Sequence, residues 1–270
     1  MTKREYAEEI AKRINGEVTE TTKNNGVVLI GVQRKEGNIA PLMYIDEAYE
    51  NGEEIEDMVK NYEAAMERAQ KEEYDFEWLD DYAKVRERIK VKLINKSKNP
   101  GTEVYRSARN YGFPDLIIVP YIDGIRVGGH EGTTTVVQSL LDKWGKSKRT
   151  VIDQAIRNME KDVVVMPLAN KLAEITGDNP AMFKSPFHIV TNKDGRYGAA
   201  SIIKAKLELE TLFHDGYYII PSSIHEMLVL PIDQGVDDTD LENMIGEVNT
   251  YVLDEKDYLS DHLYKFNATA

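Results

Sequence analysis

The sequence predicts an α+β protein of two lobes, each a sheet of antiparallel or mixed strands flanked by amphipathic helices. Three observations carry this. Apolar runs of strand length come in pairs around turn residues: Val27–Val32 with Ile39–Ile45, and the two halves of Tyr217–Asp233 around Pro221-Ser222-Ser223. Apolar residues also recur at helical spacing, as in Ile55, Val59, Tyr62 and Met66, and again in Leu241, Ile245, Val248 and Val252. The order strand, strand, helix then recurs in both halves, over 27–70 and 217–252. The lobe boundary is expected within 163–181, where Pro167, Gly177 and Pro180 surround a short helix, Leu168–Ile175. That gives lobes of 1–165, with the acidic helix, and 166–270, with the central hairpin.

Taken in order, Thr2–Ile14 reads as a helix with Tyr6, Ile10 and Ile14 on one face, ended by Asn15-Gly16. Lys23-Asn-Asn-Gly26 turns the chain into Val27–Val32, and Glu36-Gly-Asn38 separates that run from Ile39–Ile45. A helix from about Glu53 to Gln70 follows, then a helix-to-strand stretch over 80–96 with Val85, Ile89, Val91, Leu93 and Ile94. Phe113–Ile122 is the next buried strand, and Gln138–Trp144 and Thr150–Met159 are helices. After the boundary come Phe187–Asn192, a Lys193-Asp-Gly195 turn, the run Tyr197–Ile203, a helix near Lys206–His214, and the central hairpin. Thr239-Asp-Leu-Glu242 fits a capping box for the last helix, and Leu259–Phe266 is a late strand.

The composition excludes several functions. With 41% hydrophobic residues in 270 the chain builds a real core, and it is not disordered. No run approaches the roughly 20 apolar residues of a membrane span, and the N-terminus is charged, so a cytoplasmic protein is expected. The absence of cysteine rules out disulfides, thiolate metal sites and cysteine nucleophiles. A net charge of −13 argues against direct binding to nucleic acid, because phosphate affinity comes from Lys and Arg. The charge is also uneven: 46–81 holds fifteen acids and three bases, a net of −12, and 82–110 holds nine bases and two acids, a net of +7.

The acidic stretch is either a solvated helix face or a polyanionic surface for a basic protein partner. On the second reading Glu53, Glu54, Glu56, Asp57, Glu63, Glu67 and Asp75 supply charge, and Trp78, with Tyr74 and Phe76, supplies an aromatic anchor. The basic stretch reads as the counterweight to this acidic helix, with an anion site as the alternative. Gly124–Gly132 is the one glycine-rich loop, but its spacing matches neither phosphate-binding pattern and Thr133–Val137 reads as strand, so no nucleotide site is expected there.

Candidate chemistry centres on the hairpin bend. His225 and Glu226 are adjacent and point to opposite faces of a strand, so neither completes a site alone. With Asp261 or His262 from the terminal segment, His225 would make a general acid/base or metal site; His188 and His214-Asp215 are further candidates. No His-Glu-x-x-His spacing is present, Pro-Ser-Ser-Ile is no nucleophile elbow, and no cofactor or metal is expected. The plainer alternative is that Ser222, Ser223 and His225 hydrogen-bond the bend of a buried hairpin.

Several blocks, Lys23-Asn-Asn-Gly-Val-Val-Leu29, Val91-Lys-Leu-Ile-Asn95, Val190-Thr-Asn-Lys193 with Tyr197-Gly-Ala-Ala200, Ile219-Ile-Pro-Ser-Ser-Ile-His-Glu226, and Leu259-Ser-Asp261 with Tyr264, resemble a domain-of-unknown-function family common in gut Clostridia and related Firmicutes. The match departs over 124–178. The resemblance implies a bacterial cytoplasmic protein often found in mobile gene content, and it brings no activity or catalytic residue. Two functions are therefore expected: a non-enzymatic acidic protein that binds a basic protein surface, for example an inhibitor of a host nucleic-acid-handling or defence complex, and alternatively a metal-dependent or His-based hydrolase at His225. A small-molecule substrate is compatible with either.

Overall fold

The computed structural model describes residues 1–35, 40–71, 75–127 and 130–267. It divides into two compact units, residues 1–77 with 124–132, and residues 78–123 with 133–270.

In the first unit, helix α1 (Lys3–Arg13) precedes strands β1 (Gly16–Thr22), β2 (Val28–Arg34) and β3 (Met43–Tyr44), which form an antiparallel sheet in that order. Helices α2 (Asp46–Glu50) and α3 (Ile55–Gln70) follow. Helix α1 starts with a capping box in which Thr2 and Glu5 satisfy each other's backbone N–H groups, and it ends where Asn15 takes a left-handed conformation. The core is Tyr6, Ile10 and Ile14 of the first helical segment, Val32, Ile45, and Met58, Tyr62 and Met66 of α3, with Ile55 and Val59 partly buried at its edge. The stripe on α3 is therefore centred one residue away from the expected set. Strand β1 was not foreseen, because Val18 is its only aliphatic residue.

In the second unit, α4 (Tyr82–Val85) leads into β4 (Ile89–Asn95), and β5 (Arg106–Ser107) and β4 both pair antiparallel with β6 (Leu116–Val127), whose residues 124–127, like the first three of the next strand, are counted with the first unit. Strand β7 (His130–Thr135) pairs with β6. The stretch expected as a glycine-rich loop is thus largely β-ribbon; Gly128 and Gly129, like Glu36–Ile39, Glu73 and Tyr74, lie outside the described residues. Helices α5 (Gln138–Trp144) and α6 (Lys148–Asn158) follow, and α6 lays Val151, Ile152, Ala155 and Ile156 against β4.

The second sheet of this unit runs β12-β10-β11-β9-β8. Its strands are β8 (Val163–Pro167), β9 (His188–Asn192), β10 (Gly216–Pro221), β11 (Met227–Pro231) and β12 (Tyr264–Asn267), with α7 (Leu168–Thr176), α8 (Ile202–Leu212) and α9 (Asp238–Tyr251) between them. Strands β10 and β11 form the expected hairpin, in register from Tyr217↔Pro231 to Pro221↔Met227. Tyr218, Ile220 and Leu230 bury one face of it against Leu241 and Ile245 of α9.

Two expectations need correction. The boundary placed at 165/166 falls inside β8, which pairs with β9 along its whole length; the compact units are instead residues 1–77 with 124–132 and residues 78–123 with 133–270. The run Tyr197–Ile203, to which the sequence reading assigned no element, opens a helix: a 3-10 turn, Gly198–Ser201, continues directly into α8. The last helix is capped by Asp237, whose carboxylate accepts the Thr239 N–H, and not by Thr239.

Candidate functional site

Two places are built well enough to be considered, the acidic turn of the first unit and the His225 bend of the second.

The acidic side of the first unit is sorted by arginines. The Arg13 guanidinium donates to Glu9 at 3.0 Å and to Glu56 at 2.5 Å, and Arg34 binds Glu63. The hydrogen bond from Arg13 holds the Glu56 carboxyl below its usual range. Lys3 binds Asp46 at 3.0 Å and Glu50 at 3.1 Å. Glu56 and Glu63 are thus committed within the fold. Glu47, Glu53, Glu54 and Asp57 are not: all four are exposed at the α2–α3 turn, and none has a cation within ion-pairing distance among the described residues. Farther along α3 the charge is diluted, because Lys60, Arg68 and Lys71 are exposed beside Glu67. Asp75 accepts the Glu77 N–H at 2.8 Å. Trp78 belongs to the second unit, where Arg88 lies 5.0 Å over its ring.

The basic stretch takes its partners within the second unit. Arg86 binds Glu87, Arg106 binds Asp153 at 2.8 Å, and Lys98 lies 3.8 Å from Glu255. Lys90 draws in three carboxylates, Asp123 and Asp194 at 3.0 Å and Asp162 at 3.2 Å. Burial lowers the Lys90 pKa, but hydrogen bonds to Asp194, Asp123 and Asp162 outweigh it and raise the group above its usual value. The expected balance against the acidic helix is therefore replaced by local pairing.

At the bend, His225 is held through its backbone N–H, its carbonyl and its Nδ1. Its Nδ1 accepts the Tyr197 N–H at 3.2 Å, which places the ring proton on Nε2, and Nε2 faces Asp257 at 3.5 Å. Its backbone N–H donates to Ser223 Oγ at 3.0 Å and its carbonyl accepts from Thr191 Oγ1 at 2.9 Å. The Tyr197 ring stacks parallel to the imidazole with centroids 6.0 Å apart, and Tyr121 meets Tyr197 edge-on at 5.1 Å. Ser222 and Ser223 both donate to Glu226 Oε1 at 3.2 Å, so neither serine hydroxyl is given to the imidazole ring. This constellation fastens a bend. Neither Ser222 nor Ser223 donates to a ring nitrogen of His225.

The remaining candidates lie apart from it. Asp261 accepts from Asn249 and from the Tyr258 hydroxyl, and His262 packs against Tyr264, so the expected partners of His225 serve the terminal segment and Asp257 takes their place. His188 packs edge-on to Phe213, and burial lowers its pKa. Among the described residues no group of three or more His, Asp or Glu side chains is arranged to hold a metal ion. At the Lys90 cluster, where carboxylates do converge, the ammonium occupies the centre. Sequence reasoning missed Asp257 and the role of Tyr197, whose backbone sits at φ 56°. Nothing in the residue types announced either one.

Among the described residues no helix is long and apolar enough to cross a membrane. A family model matches residues 2–268, and the chain belongs to that family, a family of unknown function designated DUF5688. No curated protein and no solved structure shows significant similarity to it.

Proposed function

We propose that this DUF5688 protein is a non-enzymatic binding protein whose acidic α2–α3 turn engages a basic surface on a protein partner. The observation that carries the reading is the set Glu47, Glu53, Glu54 and Asp57, exposed together without cations while the neighbouring Asp46, Glu50, Glu56 and Glu63 are each paired. Mutual repulsion of four like charges is a cost to the fold that a cationic partner removes. The turn is also held in place: the Tyr6 hydroxyl donates to the Glu53 carbonyl at 2.9 Å, and Met58 and Tyr62 are buried one and two turns later. Little ordering is then needed on binding.

Proteins that handle nucleic acid carry basic surfaces of this kind. Within this reading the chain is a cytoplasmic inhibitor of such a complex, carried in the mobile gene content of gut Clostridia and related Firmicutes. The test is a pull-down from host lysate with the wild type and with E47K/E53K/E54K/D57K, at low and high salt. The reading expects a basic protein that is recovered at low salt, washes off at high salt and is lost with the variant. A partner retained by the variant contradicts it. Charge reversal at Glu56 or Glu63 is not used, because it would break the ion pairs to Arg13 and Arg34.

A further inference from the structure

The basic stretch has no part in that reading, yet some of it lines a cleft within the second unit. It is a shallow cleft, open to solvent, of about 590 Å³ between α4 and the turn that joins α5 to α6. That volume falls within the ~300–1,000 Å³ of small-ligand sites. Its floor is aromatic and fixed. Trp144 is buried, its indole N–H donates to the Leu79 carbonyl at 2.8 Å, and Tyr82 leans against it with centroids 5.6 Å apart.

Its rim is cationic. Lys146 is exposed, lies 5.2 Å over the Tyr82 ring and has no carboxylate at ion-pairing distance among the described residues. Arg86 meets its neighbour Glu87 through Nε alone, at 3.2 Å. The charges of Arg157 and Arg86 both reach the Tyr82 hydroxyl, where they oppose the upward push of burial on its pKa. Of the two acids of the wall, Asp80 is paired with Lys143 at 2.7 Å, and Asp81 accepts the Ala83 N–H at 2.9 Å to cap α4 while keeping its charge.

We propose that this cleft binds a nucleoside phosphate, with the base against Tyr82 and Trp144 and the phosphate between Arg86 and Lys146. A base needs a rigid π-face, and a phosphate needs donors with charge to spare; the cleft sets the two side by side. A free nucleotide suits it better than a nucleic-acid strand, because a chain of net charge −13 repels a polyanion over a distance that a single phosphate group does not require. The proposal is independent of the acidic turn.

The two tryptophans of the chain make the test direct. In W78F the emission of Trp144 reports on the cleft alone. Titration with ADP is expected to give saturable quenching, and R86A/K146A in the same background is expected to weaken it by about tenfold or more with an unchanged melting temperature. Adenosine and pyrophosphate, each lacking half the ligand, are expected to bind at least about tenfold more weakly than ADP. The absence of saturation up to about 10 mM ADP overturns the proposal, as does unchanged affinity in R86A/K146A. Pyrophosphate binding as tightly as ADP reduces the cleft to a simple anion site and also overturns it. A single-stranded oligonucleotide that binds more tightly than ADP overturns the assignment to a free nucleotide.

Discussion

At the scale of single residues, the His225 bend shows how little room a buried turn leaves. A Cβ on Gly198 would lie 2.2 Å from Thr191 Oγ1 and 2.4 Å from the His225 carbonyl oxygen, and the second of these is backbone and cannot yield. Gly198→Ala is therefore expected to destabilise the fold by about 3 kcal/mol, at the upper end of overpacking costs, as read from chemical denaturation. A change under about 0.5 kcal/mol, typical of surface sites, would show that the backbone gives way there. Lys90→Met removes the cation that Asp123, Asp162 and Asp194 share, while Arg196 remains 3.8 Å from Asp123. Its expected cost at neutral pH is about 2–3 kcal/mol, below the ~3–5 of a fully buried pair because Asp194 is largely exposed. The raised pKa of Lys90 means that this stabilisation is present below 10.5 and is lost as pH rises through the higher folded value. Equal stability of wild type and variant at pH 7 would contradict the assignment. Neither cluster was legible in the sequence: Lys90 and Asp194 are 104 positions apart, and no local pattern links them.

At the scale of elements, legibility followed periodicity. The β10–β11 hairpin and helices α1, α3, α5 and α6 are close to their expected positions, because each has a strong apolar pattern bounded by turn or cap residues. Strand β1, Gly-Glu-Val-Thr-Glu-Thr-Thr, has almost no apolar face to read and is defined by its pairing with β2. Strand β8 holds Pro167 at its end, and that proline, with Gly177 and Pro180, looked like a linker. Strand β4 carries the clearest pH signature. Lys92 on this strand donates to Thr135 at 3.2 Å and lies 5.0 Å over the Tyr197 ring, without a carboxylate in reach among the described residues. Burial holds its ammonium below the usual 10.5. The folded chain thus releases this proton before the unfolded chain does, so the penalty is in full force at neutral pH and fades as pH rises from the lowered value to 10.5. Lys92→Met is expected to melt above the wild type at pH 7, with an advantage that shrinks in alkaline buffer. A variant that melts lower at pH 7 would show that the contacts to Thr135 and Tyr197 outweigh the burial.

At the scale of the whole molecule, the charge that the sequence showed as two adjacent blocks resolves into paired and unpaired groups. The sum of −12 over 46–81 located the acidic region, yet composition had no means of separating Glu56 and Glu63, which Arg13 and Arg34 neutralise, from Glu53, Glu54 and Asp57, which nothing neutralises among the described residues. That separation required partners 43 and 29 positions away. The candidate hydrolase residues were equally underdetermined. The sequence identified His225, and only the fold revealed that the Tyr197 N–H occupies its Nδ1 and that Asp257 lies 3.5 Å from its Nε2. The central claim is that the α2–α3 turn binds a basic protein through charge. The most direct measurement is the dissociation constant for the recovered partner, as a function of salt, for the wild type and for E47K/E53K/E54K/D57K. The account predicts an affinity that falls steeply with salt in the wild type, and in the variant a loss of about tenfold or more at low salt with a much flatter slope. Equal affinities and equal slopes for the two proteins would contradict it.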